Sequence, residues 1–137
     1  MKHILHNVTI LCISALALFL TNCEKLEIPV IKDCTVLEIE PTIIEASAVM
    51  TSKQIDECGI AWSKGKSQVS PSVNDGSLTG TLDSEGKLTI SVALQANTDY
   101  YFIFWATNEV GATTSETIKV HTSFLGPKKE DNPLPEV

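Results

Sequence analysis

The stretch that most restricts this chain is LQANTDYYFIFWATNEVG, residues 94–111. Every second residue from Tyr100 gives Tyr100, Phe102, Phe104 and Ala106, while the positions between carry Tyr101, Ile103, Trp105 and Thr107. Successive side chains of a strand point to opposite faces, so the run predicts one apolar face for a core and a second, mixed face. Aromatic and β-branched residues at this density favour a strand over a helix. The residues before Tyr100 read as the turn in, and Asn108-Glu109-Val110-Gly111 as the turn out.

The same period of two recurs along the chain. Leu37 and Ile39 alternate with Glu38 and Glu40 until Pro41 breaks the run. Residues 42–51 place Ile44, Ala46, Ala48 and Met50 inward, and residues 57–63 place Ile60 and Trp62 inward with small residues outward. Leu88, Ile90, Val92 and Leu94 share a face, and residues 113–122 put Ile118 and Val120 inward with Thr117, Lys119 and His121 outward. Residues 64–86, rich in Ser, Gly and Asp with Pro71 among them, predict loop with at most a short strand. Seven short strands without a helical period predict an all-β fold built as a two-sheet sandwich.

The motifs carry a resemblance as well. Leu-x-x-x-Thr-x-Tyr, then alternating apolar residues, then Ala-Thr-Asn-x-x-Gly resembles the E–F corner, F strand and F–G turn of a fibronectin type III domain. Glu57-Cys58-Gly59-Ile60-Ala61-Trp62-Ser63 is similar to the Glu-x-Gly-apolar-x-aromatic-Ser run in the small fibronectin type III-like domains of Bacteroidetes-type lipoproteins. The resemblance covers roughly residues 33–123 and implies a fibronectin type III or immunoglobulin-like β-sandwich. It matches Tyr100 to the tyrosine corner, with its hydroxyl returning to the backbone of the preceding loop. Ala96 stands where proline is usual, and Ile103 and Phe104 stand where an arginine and a small residue are common.

The beginning of the chain reads as a secretion signal. Lys2, His3 and His6 precede an uncharged apolar run at residues 8–20, short for a membrane span and suited to a cleaved signal. The run ends Leu20-Thr21-Asn22-Cys23, which resembles the lipobox of bacterial lipoproteins and implies thioether lipidation of Cys23 with cleavage before it. The expected organisation is a signal at 1–22, a tether at 23–32, the sandwich at 33–124 and a disordered, proline-containing tail at 125–137. The implied location is the cell envelope, lipid-anchored at the outer membrane. Cys12 leaves with the signal and Cys23 becomes the anchor, so Cys34 and Cys58 remain. In an oxidising compartment such a pair is a disulfide candidate, both positions being expected near one pole of the sandwich; two unpaired buried thiols are the alternative.

From Cys23 onward, nine lysines and no arginine face seventeen acidic residues, a formal charge of −8. That balance argues against nucleic acid and against electrostatic docking to anionic lipid, leaving the acyl chains as the membrane link. Catalytic patterns are poor: His121 is the one histidine after Cys23 and no nucleophile motif surrounds it. Asn74-Asp75-Gly76 with Asp83 and Glu85 fits no calcium spacing, and acidic residues beside glycine are ordinary turn chemistry. No metal or cofactor is expected. The candidate binding surface is the outer face of the aromatic strand, Tyr101, Ile103 and Trp105 beside Lys119 and His121, with the small Ala61 and Ser63 leaving room for a ring to lie flat. Two readings compete. One is a non-enzymatic, anchored interaction module for a protein or glycan; the other is a structural spacer whose aromatic row only covers its sheet.

Overall fold

The computed structural model describes residues 25–126. The expected signal, the expected lipidation site at Cys23 and residues 127–137 of the expected tail lie outside that range. Eight strands form: β1 (Val30–Glu40), β2 (Ile43–Thr51), β3 (Glu57–Lys64), β4 (Gly76–Thr79), β5 (Lys87–Ala93), β6 (Asp99–Thr107), β7 (Ala112–Thr114) and β8 (Ile118–His121). One antiparallel sheet runs β1-β2-β5; the other runs β4-β3-β6, with β7 and β8 both pairing the far side of β6. The fold is an all-β sandwich of the immunoglobulin and fibronectin type III kind, as expected.

The core sits between the sheets where the alternation put it. Ile44, Ala46, Ala48 and Met50 of β2 and Leu88, Ile90 and Val92 of β5 meet Cys58 and Ile60 of β3 and Tyr100, Phe102, Phe104 and Ala106 of β6. Trp62, Leu94, Ile118 and Val120 pack partly buried around that cluster. Phe102 and Phe104 are fully buried, so β6 brings two large aromatic side chains into the core. The tyrosine corner is formed: the Tyr100 hydroxyl accepts a hydrogen bond from the Gln95 backbone N–H at 3.0 Å. Beside it Asn97 takes a left-handed φ of 50°, which an asparagine tolerates better than most residues.

Three local expectations change. The tether is shorter than residues 23–32, because β1 already pairs with β2 at Val30 opposite Thr51. In β1 the apolar side chains at Leu37 and Ile39 point out to solvent, while Ile31, Cys34 and Val36 pack on the core. A register shift between Lys32 and Thr35, with Asp33 at φ 52°, inserts a residue and exchanges the two faces. The last strand is divided into β7 and β8. Ser115 takes the place of a ladder residue, its backbone N–H donating to the Phe104 carbonyl at 2.9 Å and its Oγ accepting the Phe104 N–H at 2.8 Å.

Gly86 closes the turn before β5 at φ 78°, and its carbonyl accepts the Met50 N–H at 2.8 Å. A Cβ there would lie 2.7 Å from the Met50 carbonyl oxygen, so conformation and space both require glycine.

The disulfide expectation is corrected: Cys34 and Cys58 are free thiols. Cys34 lies beside Ser115, Glu116 and Ile118 near the β7–β8 edge. Cys58 lies toward the β4 edge, with its thiol 3.4 Å from the Gly80 carbonyl. Cys34 is carried by β1 of one sheet and Cys58 by β3 of the other, and strand β6 lies between β3 and the β7–β8 edge beside Cys34. Burial pushes both thiols above their usual pKa.

Candidate functional site

The outer face of the β4-β3-β6 sheet holds the five candidate binding residues, and the register explains how they part company. Gly59 pairs with Trp105, Ala61 with Ile103 and Ser63 with Tyr101 across β3 and β6. On the other flank Tyr101 pairs with Lys119 and Asp99 with His121 across β6 and β8. Parity is as expected, but exposure is not. Ile103 and Trp105 are only 3% and 9% exposed, so the row is not solvent-facing along its length.

What covers them is the connection from β3 to β4. The Ser63 hydroxyl donates to the Gln68 carbonyl at 3.0 Å and draws that connection back over the sheet. Val69 then packs on Ala61, Ile103 and Trp105, forming a second, small apolar cluster outside the main core. Turn chemistry stitches the loop together. The Val73 N–H donates to the Ser70 hydroxyl at 2.9 Å, and the Asn74 amide donates to the Ser70 and Pro71 carbonyls at 3.1 and 3.0 Å. Asp75 accepts the Lys64 N–H at 2.7 Å. Two valines within a polar loop, Val69 and Val73, were the available sequence signal, a faint one that does not say which of them lands on the sheet.

The small residues on β3 do admit a ring. A Cβ at Gly59 would collide with the Leu78 carbonyl oxygen and come within 2.9 Å of Trp105 Cζ2, so the indole lies against a backbone with no side chain there. The indole Nε1–H is buried and meets no protein acceptor. A buried donor without an acceptor costs about 1–3 kcal/mol.

The accessible part of the candidate surface lies at the other end of β6. There His121 Nδ1 is 2.8 Å from Asp99 Oδ1, and His121 Nε2 is 3.3 Å from Asn97 Oδ1. Lys119 Nζ stands 3.9 Å from the second Asp99 oxygen and 5.8 Å from the centroid of the Tyr101 ring. The hydrogen bond to His121 holds the Asp99 carboxyl below the usual carboxylate range; desolvation opposes it, and the charge of Lys119 adds a lesser lowering. The side chains stay open to solvent, His121 at 56% and Asp99 at 44%. The structure thus gathers Tyr101, Lys119 and His121 with Asp99 and Asn97, and sets Ile103 and Trp105 apart.

The acidic turns are used for the backbone. Asp83 Oδ1 accepts the N–H groups of Glu85 and Lys87, both at 2.9 Å, and these bonds lower its pKa. Among the described residues no three His, Cys, Asp or Glu side chains come together as a metal cluster.

Sequence reading missed the strongest polar constellation, at the opposite pole. The Asn108 amide, 8% exposed, donates to the Glu27 carbonyl at 2.7 Å, the Gln54 carbonyl at 3.1 Å and the Ser52 hydroxyl at 3.3 Å. Its Oδ1 accepts the N–H groups of Val110 and Gly111 at 2.9 and 3.3 Å. One side chain ties the entering segment, the β2–β3 connection and the β6–β7 turn together, although the sequence marks it only as a turn residue. No protein-family model matches this chain, and neither does any curated protein.

Proposed function

We propose that this chain is a non-enzymatic lipoprotein of the cell envelope, anchored through Cys23, whose β-sandwich presents an interaction surface to a protein or glycan. The observation that carries the reading is the open group of Tyr101, Lys119, His121, Asp99 and Asn97. It joins an aromatic face, a cation and several hydrogen-bonding atoms on a rigid strand pair. A non-catalytic role is supported by His121, both of whose ring nitrogens are engaged by Asp99 and Asn97 rather than by a nucleophile. The lipobox-like Leu20–Cys23 run and the fibronectin-like motifs support membrane attachment and membership of a fibronectin type III-like lipoprotein group.

Two experiments test this. Incorporation of labelled palmitate should depend on Cys23; label retained by Cys23→Ala overturns the anchor. The protein beginning at Glu24 would be screened against envelope glycans and envelope proteins. A partner is expected that loses about thirtyfold in affinity, roughly 2 kcal/mol, with Tyr101→Ala or Lys119→Glu. Unchanged binding by well-folded variants would sink the assignment of this surface.

A second reading, a structural spacer, is favoured by the burial of Ile103 and Trp105 beneath Val69, which makes much of the aromatic row sheet cover. It expects stable assembly with a larger complex and no dependence on Tyr101 or Lys119.

A further inference from the structure

The segment joining the sandwich to Cys23 is far less free than a linker. The Glu27 carbonyl accepts hydrogen bonds from Asn108 Nδ2 at 2.7 Å and from the Ser52 hydroxyl at 3.4 Å. Pro29 is fully buried, and its carbonyl accepts the Thr113 hydroxyl at 2.7 Å. Val30 then enters the sheet opposite Thr51. From Cys23 to the held carbonyl of Glu27 there are four residue steps, at most about 14 Å of fully extended chain.

The pole at which this segment is fastened exposes apolar side chains. Ile28 is 45% exposed, Val30 53% and Val110 54%. Ile28 Cδ1 would lie 3.5 Å from a Cβ at Gly111, which sets it beside the β6–β7 turn that carries Val110. Lys25, Glu27 and Lys53 border the same end, and Glu109 occupies the turn. The charges are mixed, so attraction to anionic lipid is not what would hold this end down.

We infer that this pole is a bilayer-contacting surface: the short, fastened segment holds Ile28 and Val110 against the lipid interface and directs the Asp99–His121 end away from it. The inference rests on lipidation of Cys23. Lipid is the occupant that fits, because an acylated residue within about 14 Å leaves little room for another partner between this pole and the membrane. The geometry also sets the distal end. Strand β6 spans nine residues, about 27 Å from end to end, so Asn97 and His121 stand that much farther from the bilayer when β6 is upright.

The test uses the full lipidated protein, isotopically labelled, in phosphatidylcholine nanodiscs doped with a gadolinium-chelating lipid. Amide signals of Ile28, Val110 and Gly111 are expected to broaden severalfold more than those of Asn97 and His121. A flexible Gly/Ser insert of about ten residues after Glu24 should largely abolish that difference. Protein that incorporates but broadens evenly, or most strongly at Asn97 and His121, overturns the orientation while leaving the anchor intact. Failure to incorporate removes the anchor and the orientation together. A difference that survives the insert overturns the short segment as its cause.

Discussion

Asn108 shows how one residue can decide the behaviour of a whole pole. Its side chain makes five hydrogen bonds while nearly buried, and three of them reach segments more than fifty residues away. Removing it leaves the part-buried carbonyl and N–H groups it serves without that partner, so Asn108→Ala is expected to cost roughly 1–3 kcal/mol in denaturant unfolding. Protease sensitivity should rise near Glu27 at the same time. A loss under about 0.5 kcal/mol would show that water replaces the bonds easily. Asp99 offers a test at the same scale. Its carboxyl is held low mainly by the hydrogen bond from His121. A depressed carboxylate pKa contributes stability above the ordinary aspartate value, and that contribution is lost as pH falls through the folded-state value. Carboxyl NMR titration should therefore find Asp99 below the usual range, and His121→Ala should move it upward. An unmoved Asp99 in that variant would dismiss His121 as the cause.

Among the elements, β6 carries both the core and the candidate surface, and its two faces separate energetically. Phe104→Ala opens the main core and is expected to cost roughly 3–5 kcal/mol. Trp105→Ala should cost about 2–3 kcal/mol, above the roughly 0.2–1 kcal/mol of a solvent-facing cross-strand pair, because Val69 seals the indole against Gly59. Trp105→Phe should recover most of that, since it keeps a ring and removes a buried donor with no acceptor. Urea melts of the three variants check the order. If Trp105→Phe costs as much as Trp105→Ala, the indole N–H has a partner after all. The alternation of β6 was legible residue by residue, whereas the loop arriving over its outer face was not. Val69 is ten residues or fewer from Ala61 and more than thirty from Ile103 and Trp105, and no periodic pattern connects them.

For the whole molecule, the placement of the two thiols bears directly on how the sandwich is held together. The protein beginning at Glu24, unfolded without reductant, should yield two reactive thiols per chain, and in the folded state both should react slowly at neutral pH because burial suppresses the thiolate. No reactive thiol on unfolding would restore the bridge. The sandwich is then held by its apolar core and its polar staples rather than by a covalent tie. Sequence alone determined the strand alternation and the core faces of β2, β5 and β6, because a period of two is a local property of successive side chains, while the tyrosine corner followed from the resemblance of the motif around Tyr100. In β1 even that local rule misled, since one inserted residue at Asp33 exchanges the faces and leaves Leu37 and Ile39 outside. Only the tertiary structure decided that Ile103 and Trp105 are covered, that Cys34 and Cys58 remain free thiols on strands of different sheets, and that Asn108 fastens Glu27. Each of those depends on where a distant segment lands, and alternation assigns a side chain its face without saying what lies over it.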